Sequence, residues 1–503
     1  MTFQPIVAFA LPGFGALLLW LWRPSPATAR RVTLVLGLVL LGVAAHMVAL
    51  AHADAVGAHA FGNWAPPFGI TFVVDRLAAL LVGLVAVLLV VVTAALKPSS
   101  HGSRTVARAL PLLLFLTFGL NGAFMTGDLF NLFVMFELVL LSSYLLLQVP
   151  GTKRSRRVAF SNVVINLLAS LLFFGGVGVI YGLCGSVNLA DVAARLPDAP
   201  ADLKVAALAM LVVAFGTKTG LVPLVFWLPS TYPVTSAPIA AFFAGIMTKL
   251  GGYALLRIAP LLLDGTGLPT LLVWVGAASA LLGVLAALSQ YELRRLLAFH
   301  SVSQMGYVVA SLGLVSAAGF AGAIYFIVHH ALVKSSLYLV ADHLERRHRT
   351  RDLRKMPAAA LAGSHLGAWF FLAAITLAGL PPTSGFIGKV AVFVAGFEAG
   401  AYLPLSALVA ASLFTLASMI KIWQYAFQRG PASTPDSASK PPGGPLSSLR
   451  PLAALVIATV VLAAAAGPAT RYAQATARDL LDTERYIDRV RSVEGYTLAE
   501  ATP

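Results

Sequence analysis

One cysteine in 503 residues, Cys184, excludes a disulfide framework, a cysteine-held iron–sulfur cluster and a cysteine zinc site within this chain. Charge is just as sparse. Only 11% of the residues are Asp, Glu, Lys or Arg, against about a quarter in soluble domains, which excludes an ordinary soluble fold. Acidic residues are the scarcer sign, 20 against 35 basic ones, leaving a net charge of +15. What fills the chain instead is hydrophobic: 59% of it, in long runs. This is the composition of a polytopic membrane protein.

About fourteen apolar segments reach the ~20 residues that a bilayer requires of a helix. They lie near 5–22, 31–51, 72–96, 107–126, 129–149, 158–183, 203–228, 236–260, 269–289, 295–316, 319–341, 363–391, 402–427 and 449–468. A Pro/Ser/Gly-rich polar linker, 428–450, separates the last two. The first run has no basic segment before it, so it is read as an uncleaved span rather than a signal peptide. The expected fold is all-α.

A basic excess can mean nucleic acid, but its distribution here argues otherwise. Arginines and lysines cluster in loops after odd-numbered spans, as in Lys153-Arg-Ser-Arg-Arg157 and the run from Arg346 to Lys355. Loops after even-numbered spans hold only Arg195, Lys204 and Arg257. The positive-inside rule then places both termini outside the cytoplasm, and no nucleic-acid partner is expected.

The chemistry lies in charges at membrane depth. Glu137 sits in the fifth span, Gly127-Asp-Leu-Phe-Asn-Leu-Phe-Val-Met-Phe-Glu137, with no basic residue one turn away. Such a group costs about 2.5–3.5 kcal/mol on insertion scales and so faces a bundle interior. Five lysines share that depth: Lys218, Lys249, Lys334, Lys389 and Lys421. Lys421 is near the end of its span and can snorkel. The other four are each either a structural ion pair or a transport group, and as a set they favour transport.

Two of these lysines sit beside interrupted helices. Pro223 follows Lys218, and Pro381-Pro382 precede Lys389, with glycines on either side. A proline cannot donate to the carbonyl one turn back, so each frees a backbone acceptor. Irregular backbone at membrane depth survives only where protein or a wet cavity covers it. Two broken helices five spans apart are what an internal repeat produces, spans 4–8 and 9–13, the second inverted because five is odd. The chain then divides into a three-helix segment (1–106), two five-helix repeats (107–262 and 263–428), the linker (429–448) and a last span with an external amphipathic tail (449–503).

The eleventh span carries His329, His330 and Lys334, with His330, Lys334 and Tyr338 on one face. The pattern reads as a proton path. No further histidine stands at a metal-ligand spacing, so no metal site is expected. His343, beside Asp342 and Glu345, is expected to be a solvated cap. Gly176-Val-Gly178 lies inside an apolar span and is read as packing rather than nucleotide binding.

Gly127-Asp-Leu-Phe-Asn-Leu-Phe…Glu137, Pro223-Leu-Val-Phe-Trp-Leu-Pro229, Lys249-Leu-Gly-Gly-Tyr253 and His300-Ser-Val-Ser-Gln-Met-Gly-Tyr307 resemble the antiporter-like subunits of the respiratory complex I superfamily. Within it, the lead-in to Glu137 and the tail Ala477 to Asp488 are similar to the D-type subunit of Mrp-type multisubunit cation/proton antiporters. The resemblance implies roles for single positions. Glu137 pairs with Lys218, Lys249 links onward, His329, His330 and Lys334 form the next section, and Lys389 ends the relay. It also implies partners: the other subunits of such a complex, protons, and monovalent cations (Na+, K+ or Li+). No cofactor is implied. The same residues also suit the proton-pumping subunit of an NADH dehydrogenase or membrane-bound hydrogenase, and less well a scaffold subunit.

Overall fold

The computed structural model describes residues 4–53, 56–64, 68–356, 361, 363–428 and 448–493. It is almost wholly helical: α1 (Gln4–Trp22), α2 (Pro26–Ala53), α3 (Arg76–Ala95), α4 (Ser103–Met125), α5 (Leu129–Gln148), α6 (Lys153–Cys184), α7 (Ala201–Thr219), α8 (Ala237–Ile258), α9 (Leu268–Leu288), α10 (Leu293–Leu312), α11 (Ala317–His348), α12 (His365–Ala378), α13 (Ser384–Glu398), α14 (Tyr402–Trp423), α15 (Arg450–Ala464), α16 (Ala466–Leu481) and α17 (Thr483–Arg491). Ten of the described helices are long and apolar enough to cross a membrane, eleven if α15 and α16, bent by 81°, count as one span. The other expected spans are the two broken ones and α10, whose Arg294, Arg295, His300 and Gln304 make it polar although it is buried. The linker 429–448 lies outside the described residues except for its last position.

The third span begins later than expected. Residues 71–75 form a strand, β2 (Thr71–Asp75), antiparallel to β1 (Val56–Ala60) with Val56 opposite Asp75. Its β-branched residues favour that pairing, and Asp75 then caps α3 by accepting from the Ala78 N–H at 2.8 Å. Side-chain caps recur at Asp128, Thr152, Ser316, Ser364 and Thr383, since an unmet N–H in an apolar setting costs several kcal/mol.

Two runs of five spans show matching details. Leu129 N donates to Val187 O and Leu189 N to Gly127 O; Leu293 N donates to Arg351 O and Leu353 N to Tyr291 O. The third helix of each run, α6 and α11, has 32 residues. The broken helices end alike, in Gly220 (φ 81°, ψ 42°) and Gly379 (φ 82°, ψ 43°). In each, two successive N–H groups turn back to one carbonyl, that of Gly216 or of Ile375. The left-handed backbone at both positions is one only glycine adopts freely.

α8 is buried along its entire length, and α11 from Gly319 to Leu344 apart from the half-buried Val328. These two helices form the centre of the molecule and carry Lys249, His329, His330 and Lys334. The tail packs back on the body: Asp479 pairs with Arg76, and the Tyr472 hydroxyl donates to Arg76 O at 3.0 Å.

Candidate functional site

The first section joins α5, α6 and the end of α7. Glu137 is half-buried, and Lys218 is buried in the last turn before the first break. They do not pair directly. Ser170 on α6 donates to Glu137 Oε1 and accepts from Lys218 Nζ at 3.1 Å, while Asn166 O accepts from the same ammonium at 3.3 Å. The break is tied down beside them: Trp227 Nε1 donates to Thr217 O at 2.7 Å, and Val222 N to Ser279 Oγ at 3.0 Å. Pro223 stands in the irregular turn that follows Gly220.

Lys249 is completely buried on α8 and donates to Ala244 O at 2.6 Å. No hydrogen bond joins it to Lys218. Across from it on α11, Lys249 lies within electrostatic reach of His329, His330 and Lys334. The nitrogen of Lys334 and both ring nitrogens of His330 make no hydrogen bond to any described residue. His329 reaches the second break, where its Nδ1 is 3.0 Å from Ser384 Oγ.

Pro381 and Pro382 fill the gap between α12 and α13, and Lys389 bends back across it. Its Nζ donates to Ala378 O at 2.6 Å and to Ser412 Oγ at 2.9 Å, and it lies 5.4 Å from the Tyr307 ring. The two lysines at the breaks are therefore not equivalent: Lys218 precedes its break, whereas Lys389 follows its own and caps the freed carbonyl.

Sequence reasoning passed over His300 and Gln304 as participants. His300 is fully buried, with Nε2 2.8 Å from Ser418 Oγ and with Lys334 and Lys389 in electrostatic reach. Its Nδ1 and both amide atoms of Gln304 have no partner among the described residues. The spacing of 300, 304 and 307, one face of a helix, is the signal that identifies them. His343 is a correction: it is buried, with Nδ1 2.8 Å from Leu339 O, because α11 runs on to His348 and packs against the segment before α4. Lys421 reaches the end of α9, donating to Leu288 O at 2.7 Å and Gln290 O at 2.8 Å.

Arg257, read as a loop charge, is instead buried in α8, where it grips Asp75 at 2.5 and 3.1 Å. Arg294 holds Glu345 in the same two-pronged way. These are structural ion pairs, and they set a standard. Among the described residues, none of Lys218, Lys249, Lys334 and Lys389 makes an ion pair. Leaving a buried polar group unmet costs about 1–3 kcal/mol, more for a charged one. Lys334, both nitrogens of His330 and Nδ1 of His300 are left unmet in this way among the described residues, whereas Lys218, Lys249 and Lys389 are met by carbonyls and hydroxyls rather than by carboxylates, which is a poor way to hold helices together.

Comparison with known proteins identifies the family. The profile of the NADH:quinone oxidoreductase/Mrp antiporter transmembrane family matches residues 126–415. The D-type component of the Na(+)/H(+) antiporter of Alkalihalophilus pseudofirmus is 39% identical over 460 residues, 91% of this chain and 92% of that protein. The N-type component of the NADH-quinone oxidoreductase of Desulforudis audaxviator is 36% identical, over 80% of this chain and 83% of that one. A polypeptide in the structure of the Mrp complex from Dietzia sp. superposes with a TM-score of 0.84 at 30% identity, covering 97% of this chain and all of that one. The chain is thus a multi-pass membrane protein that belongs to the NADH:quinone oxidoreductase/Mrp antiporter family, and within it is of the D type found in Mrp antiporters.

Proposed function

We propose that the chain is the proton-translocating subunit of a multisubunit Na+(K+)/H+ antiporter in a bacterial plasma membrane, with both termini on the non-cytoplasmic side. Protons move laterally, Glu137/Lys218 to Lys249, to His329/His330/Lys334, to Lys389, and this movement is coupled to efflux of a monovalent cation. The observation that carries the reading is the buried row of four lysines without ion-pair partners among the described residues, two of them beside helix breaks. Moving Glu137 toward or away from Lys218 alters the cost of a charge on Lys218, and like-charge repulsion passes the change along. Histidine, with an ordinary pKa near ~6.5, is a suitable carrier in the middle. One carboxylate among four amines suits protons better than Na+, which prefers oxygen ligands, so the cation site is assigned to another subunit.

The second reading is a proton-pumping subunit of an NADH dehydrogenase or membrane-bound hydrogenase, favoured by the relative from D. audaxviator. One experiment separates the two. Everted vesicles containing the native complex are energised by ATP hydrolysis, and the pH gradient is followed by fluorescence as Na+ and then K+ is added. A cation-triggered collapse that Glu137→Ala abolishes supports antiport. A gradient built by NADH or hydrogen oxidation, with no response to either cation, overturns it.

A further inference from the structure

α11 and α13 approach closely at one level, where a Cβ on Gly322 would sit 3.3 Å from the backbone of Ala391 and Val392. Toward the start of α11 and the end of α13 the two helices enclose a cavity of about 530 Å³, and α16 forms its third wall. α16 reaches that place because it bends by 81° from α15 and so lies across the end of the bundle. The walls are small and apolar: Ala317, Ala321, Ala391 and Val394, with the ring of Tyr325. The volume lies within the roughly 300–1,000 Å³ of small-molecule sites.

The rim is charged, with Glu398 at the end of α13 and Arg478 on α16. Neither enters an ion pair among the described residues; Arg478 only donates to Gln474 O, through Nε at 3.4 Å. Two opposite charges thus border one apolar cleft without neutralising each other. Next to the cleft, Phe386, Val390, Val394 and Phe397 are exposed at helical spacing and give α13 an apolar stripe along its length.

We propose that this cleft binds a phospholipid whose headgroup carries both a phosphate and a primary ammonium, as in phosphatidylethanolamine. One acyl chain lies between α11 and α13, and the headgroup spans the rim. The Arg478 guanidinium takes the phosphate, a pairing its planar fork favours. The ammonium donates to the Glu398 carboxylate, which a choline, having no N–H, cannot do. A helix from another subunit would have to present two opposite charges at matching places, whereas this lipid brings both in one group and an apolar chain for the stripe. Tyr325 connects the cleft to Lys389. Its ring packs on α13 at Gly388, where a Cβ would sit 3.3 Å from Tyr325 Cδ1, and its hydroxyl donates to Leu462 O at 3.3 Å at the end of α15. An occupied cleft therefore holds α13, and Lys389 with it, against α11 and α16. Binding itself is independent of which ion the complex carries.

The test places the assembled complex in lipid nanodiscs containing phosphatidylethanolamine with a photoactivatable acyl chain, and maps the labelled peptides after illumination. Labelling is expected on the cleft walls in α11, α13 and α16, suppressed by excess unlabelled phosphatidylethanolamine but little affected by phosphatidylcholine or phosphatidylglycerol. Glu398→Gln and Arg478→Gln, both at an exposed rim, should each lower cleft labelling about tenfold, the worth of one hydrogen bond to a charged group. Ala391→Phe should fill the cleft and abolish it. The exposed face of α6, from Phe160 to Phe174, provides the reference for lipid that merely surrounds the protein. Cleft labelling equal to that reference, with no headgroup preference and no response to the rim variants, overturns the site. So does an unlabelled cleft in which Val394→Cys cross-links to another subunit, since protein then covers it.

Discussion

Glu137 and Lys218 do not touch; the Ser170 hydroxyl stands between them, donating to the carboxylate and accepting from the ammonium. A carboxylate and an amine in direct contact inside a protein hold each other strongly, because the surroundings screen them little. An interposed hydroxyl moderates that attraction and is itself a proton conductor. Ser170→Ala is therefore expected to lower cation-triggered transport about tenfold in everted vesicles without loss of assembly, whereas Ser170→Thr retains most of it. Equal rates in Ser170→Ala and parent would remove Ser170 from the path.

The two breaks make a prediction about stability. Gly220 and Gly379 adopt φ of 81° and 82°, where a side chain adds about 1–2 kcal/mol of strain. Space is also short. A Cβ on Gly220 would sit 2.8 Å from Leu228 Cδ1, and one on Gly379 would sit 2.7 Å from Lys389 Cδ. Gly379→Ala is expected to lower the thermal midpoint of the purified complex and also to reduce transport, since it displaces Lys389. Gly220→Ala should act on stability first, because its clash is with leucine. The comparison of midpoint with transport rate for the two variants decides the matter.

Arg257–Asp75 is the opposite kind of buried charge. Removing one partner of such a pair costs about 3–5 kcal/mol, because the other is left uncompensated. Asp75→Ala should prevent assembly, as judged by co-purification of the other subunits, and so should Arg257→Ala. The double variant Asp75→Leu/Arg257→Met should assemble and transport at near-parent rates. A double variant that assembles but does not transport would move this pair from the scaffold into the relay.

The contrast between these charges explains which parts of the molecule were legible in the sequence. Buried lysines stand out because an ammonium in an apolar run is costly wherever it is, and the prolines at 223, 381 and 382 mark the breaks by chemistry alone. Long-range pairing carries no such mark. Arg257 and Asp75 are 182 residues apart, and nothing near either names the other. Ser170, Ser384, Ser412 and Ser418 are equally silent, since a serine in a membrane helix is ordinary until the fold places it against a lysine or histidine. His343 misleads for a related reason: its acidic neighbours suggest solvent, but within the protein Asp342 faces His101 and Arg346, and Glu345 is paired with Arg294 and Arg351.

Lys389 decides between relay and scaffold, because its geometry supports either. Its ammonium meets the carbonyl of Ala378 that the break leaves free, so Lys389→Ala removes a helix cap together with any proton site. Arginine separates the two. It keeps a positive charge and hydrogen-bond donors at the break, but it does not release its proton. Lys389→Arg is thus expected to assemble and yet to lose cation-triggered proton movement by at least about a hundredfold, comparable to a lost acid–base group. Lys389→His, which restores a group able to gain and lose a proton, should recover part of the rate with an altered pH profile. If Lys389→Arg transports like the parent, Lys389 only caps the break, and the path leaves the protein elsewhere.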